Sequence, residues 1–288
     1  YRYDRIFAGS PMDLTTAHEL IELNNRFYAE HAASFSATRS APWEGWNHAA
    51  ELLTQLRWPR AYNGGASCHS PLVLDLACGN LRFERFLLNA FPDVDLRFHA
   101  VDACADLAKD ASQIPGADFY EMDVLGSFLD DWARLGDLGH TVPNRRLADA
   151  GIPECDLAVC FGFMHHVPGF DMRASVLDAI VERTTLGGVV IVSFWQFMRD
   201  ERLARKALAA DSAARESAQS GTFPLDENDH FLGWQSDPSP LRYCHHFDES
   251  EIDELVASVG THAREVARYS ADGGSGTLNR YLMLERVA

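Results

Sequence analysis

Leu72-Val73-Leu74-Asp75-Leu76-Ala77-Cys78-Gly79-Asn80-Leu81-Arg82-Phe83 opens as a short apolar run and then changes character. Five residues interrupted by one carboxylate read as a strand buried in a sheet. The following residues are turn chemistry. From Leu81, the positions Phe83, Phe86 and Leu87 fall on one face of a helix expected over 81–90. A strand that turns tightly into a helix presents backbone N–H groups to a ligand at the carboxyl end of the sheet. Gly79 has no Cβ, so a ligand can come close to that backbone.

The same alternation continues downstream. A second strand, 96–101, ends at Asp102 and leads to a short helix over 105–112. A third strand, 119–122, ends at Asp123, before a helix over 125–135 and an irregular insertion over 136–153. The fourth strand is 157–161. A helix over 173–184 is expected to close at Gly187 and Gly188, because glycine commonly ends helices. A fifth strand, 189–194, precedes a long helix over 199–219 and a polar excursion over 220–242 that contains Trp234. A helix over 249–259 stops at Gly260. Strands 266–269 and 281–285 flank the glycine-rich turn 272–276. Five strand–helix units predict a parallel sheet with helices on both faces, and the last pair adds an antiparallel strand.

Upstream, helical spacing appears over 14–33 and 46–56, with Ala41-Pro42-Trp43 between them and a linker over 62–70. The expected organisation is an N-terminal helical cap, 1–64, that forms part of the site. A main domain, 65–288, carries insertions near 136–153 and 220–242. The fold class is α/β, a Rossmann-like seven-stranded, mostly parallel sheet with an N-terminal helical extension.

Composition narrows the function. The 288 residues carry a formal charge of −17, a field that repels phosphate backbones and counts against unaided nucleic-acid binding. No apolar run reaches the ~18–20 residues of a membrane span, so a cytoplasmic protein without a membrane partner is expected. Cys68, Cys78, Cys104, Cys155, Cys160 and Cys244 form no CxxC pair. They read as reduced thiols, and no metal site is expected.

Three acidic residues close the first three strands in order. Asp75 precedes the turn. Asp102, 23 residues after Gly79, can accept both ribose hydroxyls of an adenosine, and Asp123 is placed to accept from an adenine amino group. Each alone would read as a helix N-cap; together they favour a nucleotide site. A dinucleotide site also ends its second strand in an acid, but its glycine turn must approach a pyrophosphate, which this turn suits less well.

The stretch resembles the first motif of the class I S-adenosylmethionine-dependent methyltransferases, an acidic-x-Gly-x-Gly-x-Gly pattern. Here it runs Asp75-Leu76-Ala77-Cys78-Gly79-Asn80-Leu81, with only the middle glycine kept. Leu81 is the larger departure and bears on the geometry near the cofactor's methionine end. The resemblance implies S-adenosyl-L-methionine as cofactor. It implies that Asp75, Ala77, Gly79 and Asn80 hold it from the first turn and Asp102 and Ala103 from the second strand. Met122, Asp123 and Phe161 would bind it from the third and fourth.

A narrower similarity lies outside that motif. Phe27-Tyr28-Ala29-Glu30 and Phe35-Ser36-Ala37-Thr38-Arg39-Ser40-Ala41-Pro42-Trp43 resemble the N-terminal signature of the carboxymethyl-uridine (wobble) tRNA methyltransferases, with Ala41 where those have lysine. His165-His166, Arg173, Trp195 and the stretch Arg242-Tyr243-Cys244-His245-His246-Phe247 match as well. This resemblance implies that Arg39 reaches the cofactor carboxylate. It places Trp43, Arg173, Trp195 and His245 against the substrate, and gives His165 or His166 the task of orienting the acceptor or acting as general base. A solvated loop arginine, a core tryptophan and a polar lining without proton transfer are the alternative readings of Arg39, Trp43 and the histidines. Three functions stay open: a tRNA wobble-uridine methyltransferase, with a partner subunit by resemblance only; a small-molecule O- or N-methyltransferase with a closed pocket; and a non-catalytic cofactor-binding module.

Overall fold

The computed structural model describes residues 12–59, 70–135, 146–216, 225–234 and 237–288. The strands are β1 (Leu72–Leu76), β2 (Arg97–Asp102), β3 (Ala117–Glu121), β4 (Cys155–Cys160), β5 (Thr184–Trp195), β6 (Asp229–Trp234), β7 (Asp237–His245), β8 (Ala263–Ala271) and β9 (Asn279–Arg286). The helices are α1 (Leu14–Ala37), α2 (Glu44–Gln55), α3 (Arg82–Ala90), α4 (Val124–Leu135), α5 (Arg146–Asp149), α6 (Phe170–Glu182), α7 (Glu201–Glu216) and α8 (Glu249–Ser258).

A seven-stranded sheet runs β3-β2-β1-β4-β5-β9-β8. The pairs from β3 to β5 are parallel, and β9 is antiparallel to both β5 and β8. Strand order reverses between β1 and β4, which opens a crevice at their carboxyl ends. Side chains alternate across the sheet because successive Cβ atoms point to opposite faces. Leu74, Leu76, Ala158, Cys160, Val190 and Val192 meet α4, α6 and α8 on one face. Val73, Leu157, Val159, Val189 and Ile191 meet α2 and α3 on the other. Burial on both faces explains why these strands are apolar without a polar alternate.

A smaller layer stands over the carboxyl ends. Leu20 of α1 and Ala210 and Ala214 of α7 pack on Phe231 and Tyr243 of a β6–β7 hairpin. Phe197, Ala207, Leu232 and Cys244 pack on the hairpin's opposite side.

Several local expectations are corrected. The polar excursion over 220–242 contains the β6–β7 hairpin. It is packed on both sides, so Phe231 and Leu232 are buried in succession and leave no period-two signal. Gly187 and Gly188 do not close a helix. α6 ends at Glu182, and both glycines lie within β5, where Cys155 pairs with Thr184 but Leu157 with Val189. The extra residues of β5 form a bulge, and Gly187 takes φ 75° there. The helix over 105–112 is instead a series of turns ending in a 3-10 turn, Ala111–Gln113, with i to i+3 bonds from Leu107 to Cys104 and from Ala111 to Ala108. α1 runs past residue 33 to Ala37, because Phe35 in its last turn stacks on Trp234 and packs edge-on against Tyr28. The short α5 lies inside the insertion over 136–153. Residues 136–145, the linker over 62–70 except Ser70, the cap boundary at 64, residues 217–219 and Cys68 lie outside the described residues.

Candidate active site

The turn after β1 keeps the shape that three glycines would give. Ala77, Gly79 and Leu81 all have positive φ, 64°, 54° and 59°. A left-handed residue with a side chain costs about 1–2 kcal/mol. Burial offsets that cost at Leu81, which is fully buried against the α2–α3 face of the sheet and does not line the cavity described below. A Cβ on Gly79 would meet nothing within 4 Å, so packing within the chain does not require glycine there. The open cradle fits a ligand laid across the turn.

The Asp102 carboxylate holds this turn. Oδ2 accepts from the Gly79 N–H at 2.8 Å and Oδ1 from the Cys104 N–H at 2.8 Å. Asp75 is buried on the face covered by α3 and meets Glu84 of that helix. Burial, and then the neighbouring Glu84, push the Asp75 carboxyl well up, while burial raises Glu84 to about 7. Burial therefore favours the protonated form of this pair. Asp123 caps α4, with Oδ1 accepting from the Gly126 N–H at 2.9 Å, and Oδ2 accepts from Asn25 of α1 at 3.0 Å. The N-cap reading of Asp123 therefore holds in this structure, although the residue also lines the cavity.

The segment between α1 and α2 is clamped to the turn. Asn80 donates to the Arg39 carbonyl at 3.0 Å, and Arg82 donates to Asn80 Oδ1 at 3.2 Å and to the Ala41 carbonyl at 2.8 Å. The Arg39 guanidinium lies 3.6 Å over the Phe35 ring and 5.5 Å from Trp234. Partial burial lowers it to about 10, so it stays charged at neutral pH. Trp43 lies beside Trp46 and over Gly162, where an added Cβ would meet the indole at 2.9 Å.

These elements surround a cavity of about 970 Å3. It is roofed by α1, α7 and the hairpin. Arg39, Trp43, Asp75, Ala77, Gly79, Asn80, Asp102, Ala103, Met122, Asp123, Phe161, Trp195, His165 and His166 line it. His166 is held at both ring nitrogens, with Asn24 Nδ2 also 3.2 Å from Nδ1. Its Nδ1 lies 2.9 Å from the Tyr243 carbonyl, which can only accept, so Nδ1 carries the proton and Nε2 accepts from the Tyr28 hydroxyl at 2.7 Å. Burial, and then the Arg242 charge, hold His166 down to about 3. Burial and His166 hold His165 well below the ordinary imidazole range. Both rings are therefore uncharged at neutral pH. His165, His166 and Cys244 bring possible ligand atoms within 4.8 Å of one another. The Arg39 and Arg242 charges beside them oppose a divalent cation.

Two expected substrate residues are elsewhere. Arg173 is buried, with Nε 2.7 Å from Glu251 Oε1 and Nη1 donating to the Val167 carbonyl at 3.0 Å. His245 is held between Asp229 Oδ1 at 2.7 Å and Glu251 Oε2 at 2.6 Å. Neither lines the cavity. Alternation along β7 is the reason: Tyr243 and His245 face Asp229, and Arg242 and Cys244 face the other way. From the stretch 242–247 it is Arg242 that reaches the cavity. Trp234, Asn24 and Asn25 also line it unannounced, and so do Arg202 and Lys206 of α7. The pattern of α1 marked only its apolar face, and Trp234 stood in a segment without periodicity.

No protein-family model and no curated protein matches the sequence. Solved structures do match. An S-adenosylmethionine-dependent methyltransferase from Clostridium acetobutylicum superposes with a TM-score of 0.52 at 12% identity, over 92% of this chain and 99% of that one. One from Methanosarcina mazei gives 0.51 at 14% identity, over 76% and 93%. At such identities the likeness speaks for the fold: this chain has the Rossmann-like fold of S-adenosylmethionine-dependent methyltransferases.

Proposed function

We propose that this protein is an S-adenosylmethionine-dependent methyltransferase acting on a small molecule held under the roof of α1, α7 and the β6–β7 hairpin. The observation that carries this reading is the turn 77–81, left-handed at three alternate positions and tied through Gly79 to Asp102. That arrangement suits an adenosine whose ribose hydroxyls meet Asp102. Asp123 and Met122 would border the adenine. Asp75, Ala77, Gly79 and Asn80 would hold the methionine end, and Arg39 its carboxylate. The cavity is at the upper end of the ~300–1,000 Å3 usual for small-molecule sites, which leaves room for an acceptor beside the cofactor.

When bound, the cofactor supplies an electrophilic methyl group on a sulfonium. What the chain adds is position and exclusion of water. His166 is locked between Tyr28 and the Tyr243 carbonyl, and both cavity histidines are uncharged and weakly basic. Such a site suits an acceptor that is already nucleophilic, such as an ionised oxygen or a neutral amine, over one that must first lose a proton to the enzyme.

The wobble-uridine tRNA reading is the second. It is favoured by one observation, that Phe35, Thr38, Arg39 and Trp43 of the resembling segment all line the cavity. The roofed cavity and the acidic balance favour the first. Calorimetric titration with S-adenosylhomocysteine on wild type and Asp102→Ala tests the cofactor. Tight binding to wild type, weakened at least ~10-fold in the variant, is expected. No binding to wild type removes the proposal. Transfer of labelled methyl to bulk tRNA, alone or with lysate, would move the acceptor to the second reading.

A further inference from the structure

Arg242 on β7 is the one buried guanidinium of the cavity wall that the fold itself leaves without an anion. It is 8% exposed, and its Nε has no hydrogen-bond partner. Among the described residues no carboxylate forms an ion pair with it. The hairpin's own acid, Asp229, is taken by Tyr243 and His245, and Asp211 of α7 by His230. The contrast with Arg173 is instructive. That guanidinium is also buried, at 3% exposed, and the chain supplies Glu251 at 2.7 Å. A buried cation without a counter-charge costs stability, so a fold keeps one at a cavity wall when something else neutralises it.

Three rings frame the Arg242 guanidinium: Phe27 at 5.5 Å, Trp195 at 5.7 Å and Trp234 at 5.6 Å. Trp195 and Trp234 line the cavity, as do the Tyr28 hydroxyl side chain and His165, whose buried Nδ1 also has no partner. Trp234 is held in place by its indole N–H, which donates to Ser34 at 3.2 Å, and by its stack with Phe35. Flat apolar walls, a fork of N–H donors and an unused imidazole nitrogen converge on one space. The Tyr28 hydroxyl meets the Arg242 guanidinium, but burial keeps Tyr28 protonated and His165 uncharged, so neither supplies an anion to Arg242.

We infer that the acceptor is a flat, aromatic or otherwise unsaturated small molecule bearing an anionic group, carboxylate or phosphate, that pairs with Arg242 between Trp195 and Trp234. This rests on the methyltransferase reading above and narrows its substrate class. The cofactor's own carboxylate is assigned to Arg39, at the segment bound to the glycine turn. With the cofactor carboxylate at Arg39, Arg242 is left to select the acceptor.

The test is calorimetry on protein first loaded with S-adenosylhomocysteine. The probes are indole-3-acetate and benzoate with their amides, and phenyl phosphate, titrated into wild type, Arg242→Gln and Arg242→Lys. Wild type is expected to bind at least one anionic probe about tenfold or more tighter than a neutral amide. The preference should vanish in Arg242→Gln and return in part in Arg242→Lys, with S-adenosylhomocysteine affinity within about twofold throughout. The indole-3-acetate and phenyl phosphate arms tell carboxylate from phosphate. Equal binding of acid and amide by wild type, or failure of every anionic probe to bind, overturns the inference without any variant having to fold. An anion preference that survives in Arg242→Gln overturns it too. Failure of S-adenosylhomocysteine itself to bind removes the methyltransferase reading instead.

Discussion

Leu81 sits at φ 59° and ψ 36°, where an L-residue is strained, and its side chain is fully buried. Two substitutions separate these effects. Leu81→Ala removes buried methyl groups and keeps the strain, which costs about 2–5 kcal/mol. Leu81→Gly removes the buried Cβ as well, worth about 0.8 kcal/mol, but relieves a left-handed penalty of about 1–2 kcal/mol. Against that stands the extra chain entropy of glycine, about 0.5–1 kcal/mol. The three terms nearly cancel, so the glycine variant should match the alanine variant to within about 0.8 kcal/mol. In an ordinary helix glycine is worse by about 1 kcal/mol. Urea unfolding of both variants at a common slope reads the difference directly. Because Leu81 does not line the cavity, both variants should keep wild-type affinity for S-adenosylhomocysteine. An alanine variant more stable than the glycine variant by about 1.5 kcal/mol or more would refute the left-handed turn. A large loss of affinity in either would refute the placement of Leu81 away from the ligand.

Glu84 is raised from 4.5 to about 7, chiefly by burial, so the folded chain keeps a proton that the unfolded chain releases. That contribution is present below about pH 4.5 and is lost as pH rises through 7, with a slope of at most about 1.4 kcal/mol per pH unit. Glu84→Gln should flatten stability against pH over that window in urea titrations; an unchanged slope would mean that the Asp75–Glu84 pair holds no proton. His166 acts in the opposite direction: it is held to about 3, so stability is lost as pH falls from 6.5. His166→Gln should unfold less steeply between pH 6.5 and 4 than wild type, by urea midpoint. Arg173→Leu leaves Glu251 buried without its cation and should cost about 3–5 kcal/mol. The same variant, where folded, should bind S-adenosylhomocysteine as wild type does, and a selective loss of affinity would return Arg173 to the site.

The run 72–83 was sufficient to place the first strand, its turn and its helix, because an apolar strand and a helical face differ in period within a few residues. The seven-stranded sheet followed from five repeats of that unit and a terminal pair. Asp102 was legible for the same reason, since it is the first carboxylate of its strand and stands at its end. The bulge at Gly187 and the β6–β7 hairpin were not legible. A glycine pair reads alike after a helix and inside a strand, and a hairpin packed on both sides has no alternation to see.

Which residues of a legible segment face the cavity was settled only by the fold. In the stretch 242–247 the histidine at 245 attracts notice, yet it points toward Asp229 and Glu251, and Arg242, of opposite parity on β7, points toward Trp195. Sequence names the residues of a strand but not the register of its partner, and a shift of one residue exchanges the two faces. The basicity of His165 and His166 was likewise undetermined until packing removed water from both rings. The order of elements and the acidic strand ends are local and could be read along the chain. The aromatic frame around Arg242 joins residues from α1, β5, β6 and β7, and only tertiary packing brings them together.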